Sequence, residues 1–270
     1  MGLYILLFVM GLFGGFLAGL IGIGGGVMYV LVLPYLLNSM GFPTGEIVQL
    51  TIANSIFGTF FAALSGNIAL WKKGEFYLRE VLSIGFFGTI VSLLLLHFFV
   101  NTPSYQKEEF NVIVIILMVV IVWRTLRQVR FIQLSGEEKK SGVLGYSIVG
   151  ALSGAVAALS GLGGGTVIIP VLNTGFKMNM QKAKSISLGV ILITSFCLTL
   201  MNIFSDTTFG FHNHNSGYIV WPLALILSTG VVIASPMGVS VARKMSGKTI
   251  SYIFVAFVLV VIVDKLIQLI

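Results

Sequence analysis

Charge is what this sequence has least of. Only 9% of its 270 residues are Asp, Glu, Lys or Arg, against roughly 25% in a soluble domain, so a water-facing surface cannot be assembled from it. Cysteine is nearly absent as well: Cys197 stands alone inside an apolar run, which excludes an internal disulfide and leaves it a core position. No carboxylate falls deep in an apolar run, because Glu46, Glu75, Glu80, Asp206 and Asp264 all lie near run ends. Proton pumps and cation transporters usually carry acids near the bilayer midplane, so cation transport is disfavoured. No nucleophile with its base, nucleotide-type phosphate loop or metal cluster is legible. The chain is therefore read as no enzyme, with no cofactor. His212 and His214, in an outer loop without a carboxylate or thiol beside them, are too few for a metal site. Nor do the first twenty residues read as a cleavable signal: they lack a basic region and run straight into glycines, as a retained helix does.

What is present is apolar sequence. Hydrophobic residues make up 57% of the chain and the mean hydropathy is +1.03. Runs such as residues 81–100, 187–204 and 218–241 are each long enough to cross ~30 Å of hydrocarbon as a helix. They do not alternate polar and apolar residues as a barrel strand would, so the fold class is an all-α integral membrane protein in a lipid bilayer.

One pattern is doubled. Gly22, Ile23, Gly24, Gly25 and Gly26 return 139 positions later as Gly161, Leu162, Gly163, Gly164 and Gly165, and the match extends back through Gly11 with Gly150 and Gly15 with Gly154. A repeat at half the chain length means two copies of one unit, and in membrane proteins such repeats place a site where the copies meet. The units are residues 1–134 and 143–270, joined by a charged linker at 135–142.

The basic residues decide how the copies are oriented. Lys72, Lys73 and Arg79 lie in one polar break, Arg124, Arg127, Arg130, Lys139 and Lys140 in another, Lys177, Lys182 and Lys184 in a third, and Arg243, Lys244 and Lys248 in a fourth. If every apolar segment crossed once, the basic loops of the two halves would lie on opposite faces, against the positive-inside tendency. If each glycine segment enters and returns on one side, all four breaks face the cytoplasm, with 14 of the 16 Lys and Arg. The formal charge of +7 is then a property of these loops, and no nucleic-acid partner is implied. The termini fall outside, and the two copies become inverted-topology repeats. Each is a glycine-tipped helical hairpin, re-entrant or of short paired helices, plus three transmembrane helices. The helices are expected at residues 47–64, 76–99 and 110–126, then 182–204, 218–243 and 249–270. Pro236 with Gly238 marks either a hinge or close packing.

A helix opening after each glycine cluster presents free N–H groups and the positive end of its dipole, which together favour an anion. The substrate-binding set predicted in the first copy is Gly22, Gly24, Gly25, Gly26 and Val27, with Asn54 and Ser55 from the next helix start. In the second it is Gly161, Gly163, Gly164, Gly165 and Thr166, with Ser185 and Ser187. Hydroxyls and amides can donate to an oxyanion without fixing a charge there. The alternative is that the glycines serve helix packing and the polar residues bond neighbouring backbone, with Thr59, Thr194 and Ser195 leaning that way. The partner is thus a small anion, with no assignment of coupling ion, proton or sodium, or of oligomeric state.

The segments GFLAGLIGIGGGVMYVLVLP (15–34) and GAVAALSGLGGGTVIIPVL (154–172), each followed by a helix start bearing Ser or Thr, resemble the TauE/SafE sulfite exporter family, also called the toluene sulfonate uptake permeases. The resemblance covers nearly the whole chain. It implies a permease of the cell membrane for small, mostly sulfur-containing anions such as sulfite, thiosulfate or sulfonates, working by alternating access. Where the family commonly carries a small-Thr-Ser-Leu run, this chain has Ala53-Asn54-Ser55-Ile56 and Ser185-Ile186-Ser187-Leu188, so the serines match and the threonine does not. A passive anion channel and a permease for a small carboxylate are the competing readings.

Overall fold

The computed structural model describes residues 2–72, 74–102, 104–131, 142–207 and 215–269. The first half is α1 (Gly2–Ile21), α2 (Gly26–Ser39), α3 (Ile47–Trp71), α4 (Leu78–Leu95, continued by a π turn over Leu96–Val100) and α5 (Lys107–Phe131). The second is α6 (Val143–Ser160), α7 (Gly165–Pro170, continued by a π turn over Val171–Gly175), α8 (Met180–Ile203), α9 (Trp221–Ala242) and α10 (Gly247–Ile267). Among the described residues, eight helices are long and apolar enough to cross a membrane, while Gly26–Ser39 and Gly165–Gly175 are shorter. This is an all-α integral membrane protein. At 1.5 Å per residue, the 14 residues of α2 reach only about 21 Å, so the return arm falls short of a full crossing.

Two expectations are corrected. Residues 67–71 were expected in a polar loop but extend α3, because Asn67 does not need water. Its amide donates to the carbonyls of Ala63 (2.7 Å) and Leu188 (2.8 Å). Residues 218–220 were expected to open α9 and instead belong to a small hairpin, β1 (Asn215–Ser216) with β2 (Ile219–Val220); the helix starts at Trp221, where Pro222 occupies the position that needs no N–H. The charged residues 135–141 of the linker, and His212 and His214, lie outside the described residues.

Hydrophobic burial does not drive helices together in lipid, so close backbone approach must, and the glycines provide it. Along the α1–α9 seam a Cβ on Gly11, Gly15 or Gly19 would sit within 2.7 Å of the backbone of Leu227, Val231 or Ser235. From the other side a Cβ on Gly238 would run into the carbonyl of Phe16, which makes it a packing glycine rather than a hinge. The α4–α6 seam repeats the arrangement, with Gly150 against the carbonyl of Ile84 and Gly154 against that of Gly88. The repeated glycines at 11 and 15, and at 150 and 154, thus do the same job on equivalent helices.

Two pairs of helices, α3 with α8 and α5 with α10, run antiparallel where they touch. Asn67 of α3 meets Leu188 of α8 while Phe60 stacks near Phe196, ring centroids 5.7 Å apart. Lys265, late in α10, lies over the ring of Phe110, early in α5. The bundle has two distinct faces. At one, Arg243 is hydrogen-bonded to Glu75 and Lys182 pairs with Glu80 at 3.6 Å, which gathers the α3–α4, α7–α8 and α9–α10 connections. At the other, Tyr35 donates to Asp264 at 2.6 Å, Gln49 donates to the carbonyls of Val100 and Tyr105, and Asn101 donates to Ser205.

Candidate functional site

The two glycine clusters adopt one backbone conformation. Gly22, Gly24 and Gly25 have φ of +85°, +87° and +77°; Gly161, Gly163 and Gly164 have +70°, +82° and +71°. Any other residue would lose about 1–2 kcal/mol at each of these left-handed positions, so the glycines here are required by the turn itself. Gly25 and Gly164 are the N-caps of α2 and α7.

The turns meet inside the bundle. A Cβ on Gly26 would lie 2.3 Å from the carbonyl oxygen of Gly161, and one on Gly165 would lie 2.8 Å from that of Gly22. Gly24 and Gly163 both face the methyl groups of Thr59 and Ile191, which belong to α3 and α8, the equivalent helices of the two halves. Thr59 is fully buried and its hydroxyl has no partner; Thr166, 3% exposed, is in the same position. The backbone N–H groups of Gly24, Gly25, Gly26 and Val27, and of Gly163, Gly164, Gly165 and Thr166, find no acceptor among the described residues. Buried N–H groups are rarely left so, and the two turns that carry them touch at Gly26 with Gly161 and at Gly165 with Gly22.

Beside the turns is a cavity of about 40 Å³ bounded by Ile23 of the first turn and Gly165 and Thr166 of the second, room for a few waters or one small anion. Lys184 lines it, and its ammonium donates to the carbonyl of Leu20 at 3.1 Å. Lys184 belongs to the third basic break of the sequence and stands outside the predicted binding set. Its signal was there: a lysine one turn into an apolar helix with no acid near it in sequence. A lysine nitrogen thus stands at this cavity, where only neutral donors were expected.

The polar side chains predicted for the site divide into two groups. Ser55 donates to the carbonyl of Gly161 at 2.8 Å and Ser187 to that of Gly22 at 2.9 Å, so both hydroxyl protons are committed to holding the turns. Asn54 is elsewhere: its amide donates to the carbonyls of Leu50 and Tyr218, and its oxygen accepts from the N–H of Val220 at 3.1 Å. With both amide hydrogens engaged it clasps the β-hairpin to α3 and has nothing left to donate to an anion. Ser185 donates to Gln181 one turn back at 3.1 Å and opens toward a second crevice shared with Glu75 and Arg243. The expected donor role of Asn54 and Ser185 is not what this geometry provides, because in each case a nearer carbonyl takes the proton.

Membrane-length helices around two facing, glycine-broken turns are the construction of a membrane transporter. The chain belongs to the sulfite exporter TauE/SafE family, whose profile matches residues 6–264. It is 27% identical to a "probable membrane transporter protein" of Methanocaldococcus jannaschii, over 90% of this chain and 88% of that one. It is 24% identical to one of Haemophilus influenzae over 98% of each chain, and 26% identical to the "probable membrane transporter protein YunE" of Bacillus subtilis over 92% and 91%. No solved structure matches the chain.

Proposed function

We propose that the protein is a secondary transporter of a small anion, of the sulfur-containing oxyanion class that the family's name indicates, working by alternating access across the cell membrane. The observation that carries this reading is the double row of unpaired N–H groups at residues 24–27 and 163–166, set between the halves and next to the Lys184 ammonium. Backbone N–H groups bind oxyanions without a compensating cation, and Lys184 supplies attraction where the dielectric is low. The hydroxyls of Thr59 and Thr166 complete the donor set.

In this reading the halves are inverted repeats, as the antiparallel runs of α3 with α8 and of α5 with α10 support. The face carrying Arg243, Lys182 and Glu75 is cytoplasmic by its excess of Lys and Arg, and the termini lie outside. Release to alternate faces requires the two turns to separate, and the Ser55–Gly161 and Ser187–Gly22 hydrogen bonds are the contacts that then break.

Reconstitution into liposomes tests the function directly. Saturable uptake of labelled sulfite, accelerated when unlabelled sulfite is loaded inside, is the carrier outcome. Flux that rises linearly with concentration and shows no such acceleration is the channel outcome and overturns the proposal.

A further inference from the structure

Fourteen of the sixteen Lys and Arg lie in the four polar breaks of the sequence; the two that do not are Lys107 and Lys265. These two, far apart in the chain, line one chamber of about 330 Å³ at the opposite face of the bundle. It is walled by α2, α3, α5 and α10. The cavity beside Lys184 is walled by the equivalent helices α7, α8, α10 and α5. One chamber is thus the counterpart of the other across the pseudo-two-fold relation, and the far one is much the larger.

Its lining is chemically specific. Lys265 is 0% exposed although it reaches the chamber; its ammonium donates to Gln268 at 3.3 Å and lies 5.6 Å from the ring centroid of Phe110. Asp264 approaches it only at 3.8 Å and is itself occupied by the Tyr35 hydroxyl and the Gln268 amide. Lys107 makes no ion pair among the described residues. Asn111, 1% exposed, lines the chamber with neither its amide nitrogen nor its oxygen bonded, and Thr51, 0% exposed, has an unpaired hydroxyl there. Burying an amide and a hydroxyl without partners is destabilising unless something fills the space. The charged side chains lining the space are both lysines; Tyr35, Asn38, Thr44 and Gln268 add polar groups, and Pro34, Ile47, Val48 and Phe110 make an apolar stretch of the wall.

We propose that this chamber is a second binding site, an outer vestibule for an organic anion whose sulfonate or carboxylate head sits among Lys265, Lys107, Asn111 and Thr51 and whose carbon body lies on the apolar wall. Its volume exceeds what a bare oxyanion fills, so the body contributes to the fit. The role as a vestibule rests on the transport reading; the binding does not.

The test is titration calorimetry of the detergent-purified full chain with butanesulfonate, with sulfate as the anion lacking a body and butyltrimethylammonium as the body lacking the anion. Butanesulfonate is expected to bind at least tenfold more tightly than either control. Lys265→Met, which keeps the volume, and Asn111→Leu are each expected to weaken it tenfold or more. Thr51→Val, nearly isosteric, gives a severalfold loss and serves if either other variant fails to fold. Wild-type affinity in these variants overturns the proposal, as does butanesulfonate binding no better than the controls. A co-purified phospholipid that butanesulfonate does not displace also overturns it, since the chamber would then hold a lipid headgroup. Binding with these losses, together with liposomes that move no anion, leaves the site standing and removes the transport reading. Saturable sulfite transport without such binding does the reverse.

Discussion

Ser55 and Gly161 lie 106 positions apart and are joined by a 2.8 Å hydrogen bond from the serine hydroxyl to the glycine carbonyl. Ser187 makes the mirror contact with Gly22 at 2.9 Å. Each half of the protein thus holds the glycine turn of the other through one side chain from the start of its long central helix.

Removing either serine leaves a buried carbonyl unpaired, at a cost of about 1–3 kcal/mol. Ser55→Ala and Ser187→Ala are therefore each expected to lower the detergent unfolding temperature while leaving a folded protein. The two changes act on the same junction, so the double variant is expected to lose less than the sum of the two. Strict additivity would mean that the two contacts are independent.

Gly25→Ala and Gly164→Ala place a Cβ 2.6 Å from the Gly14 carbonyl and 2.5 Å from the Ser153 carbonyl, at positive φ in both cases. Strain and clash together are expected to prevent accumulation of folded protein or to abolish anion binding. Gly45→Ala is the control, since nothing lies within 4 Å of its Cβ and its φ is not positive; its unfolding temperature should match or exceed the wild type. Size-exclusion profiles and thermal unfolding distinguish the outcomes.

Much of this was readable in the chain. The doubled glycine cluster identified the two turns and the helix start after each, and the distribution of lysines and arginines separated two faces. What was not readable is which donor is already spent. Asn54 and Ser55 are adjacent in sequence and of similar chemistry, yet one clasps Tyr218 and Val220, 164 and 166 positions away, and the other holds Gly161. Thr59 read as a packing residue because Ser and Thr in membrane helices commonly bond neighbouring backbone; only the fold shows that both turns converge on it. Residues 67–71 read as loop because Asn67 looks solvated when its partner, the Leu188 carbonyl, lies in the other half of the chain.

Thr59→Val separates a binding role from a packing role. With no partner for its hydroxyl, the threonine costs stability, so the valine variant is expected to unfold at an equal or higher temperature. Anion affinity is expected to fall by about tenfold, the loss of one donated hydrogen bond of roughly 1.4 kcal/mol. An unchanged affinity would remove Thr59 from the site.

Sidedness is checked by labelling. In a Cys197→Ala background, Ser104→Cys is expected to react with a membrane-impermeant maleimide in intact cells, and Lys248→Cys only after permeabilisation. The opposite pattern would invert the orientation inferred from the basic loops.

The central claim, that the paired turns bind a small sulfur oxyanion, is tested most directly by thermal stabilisation of the purified protein. The panel is sulfite, sulfate, thiosulfate, short sulfonates, carboxylates and phosphate at equal ionic strength, with chloride as the reference. A ligand at a hundredfold excess over its Kd stabilises by about 2.7 kcal/mol. One sulfur oxyanion is expected to stand above the rest in the wild type and to lose that effect in Lys184→Met. A panel without any shift, or one led by a carboxylate or a cation, would contradict the claim.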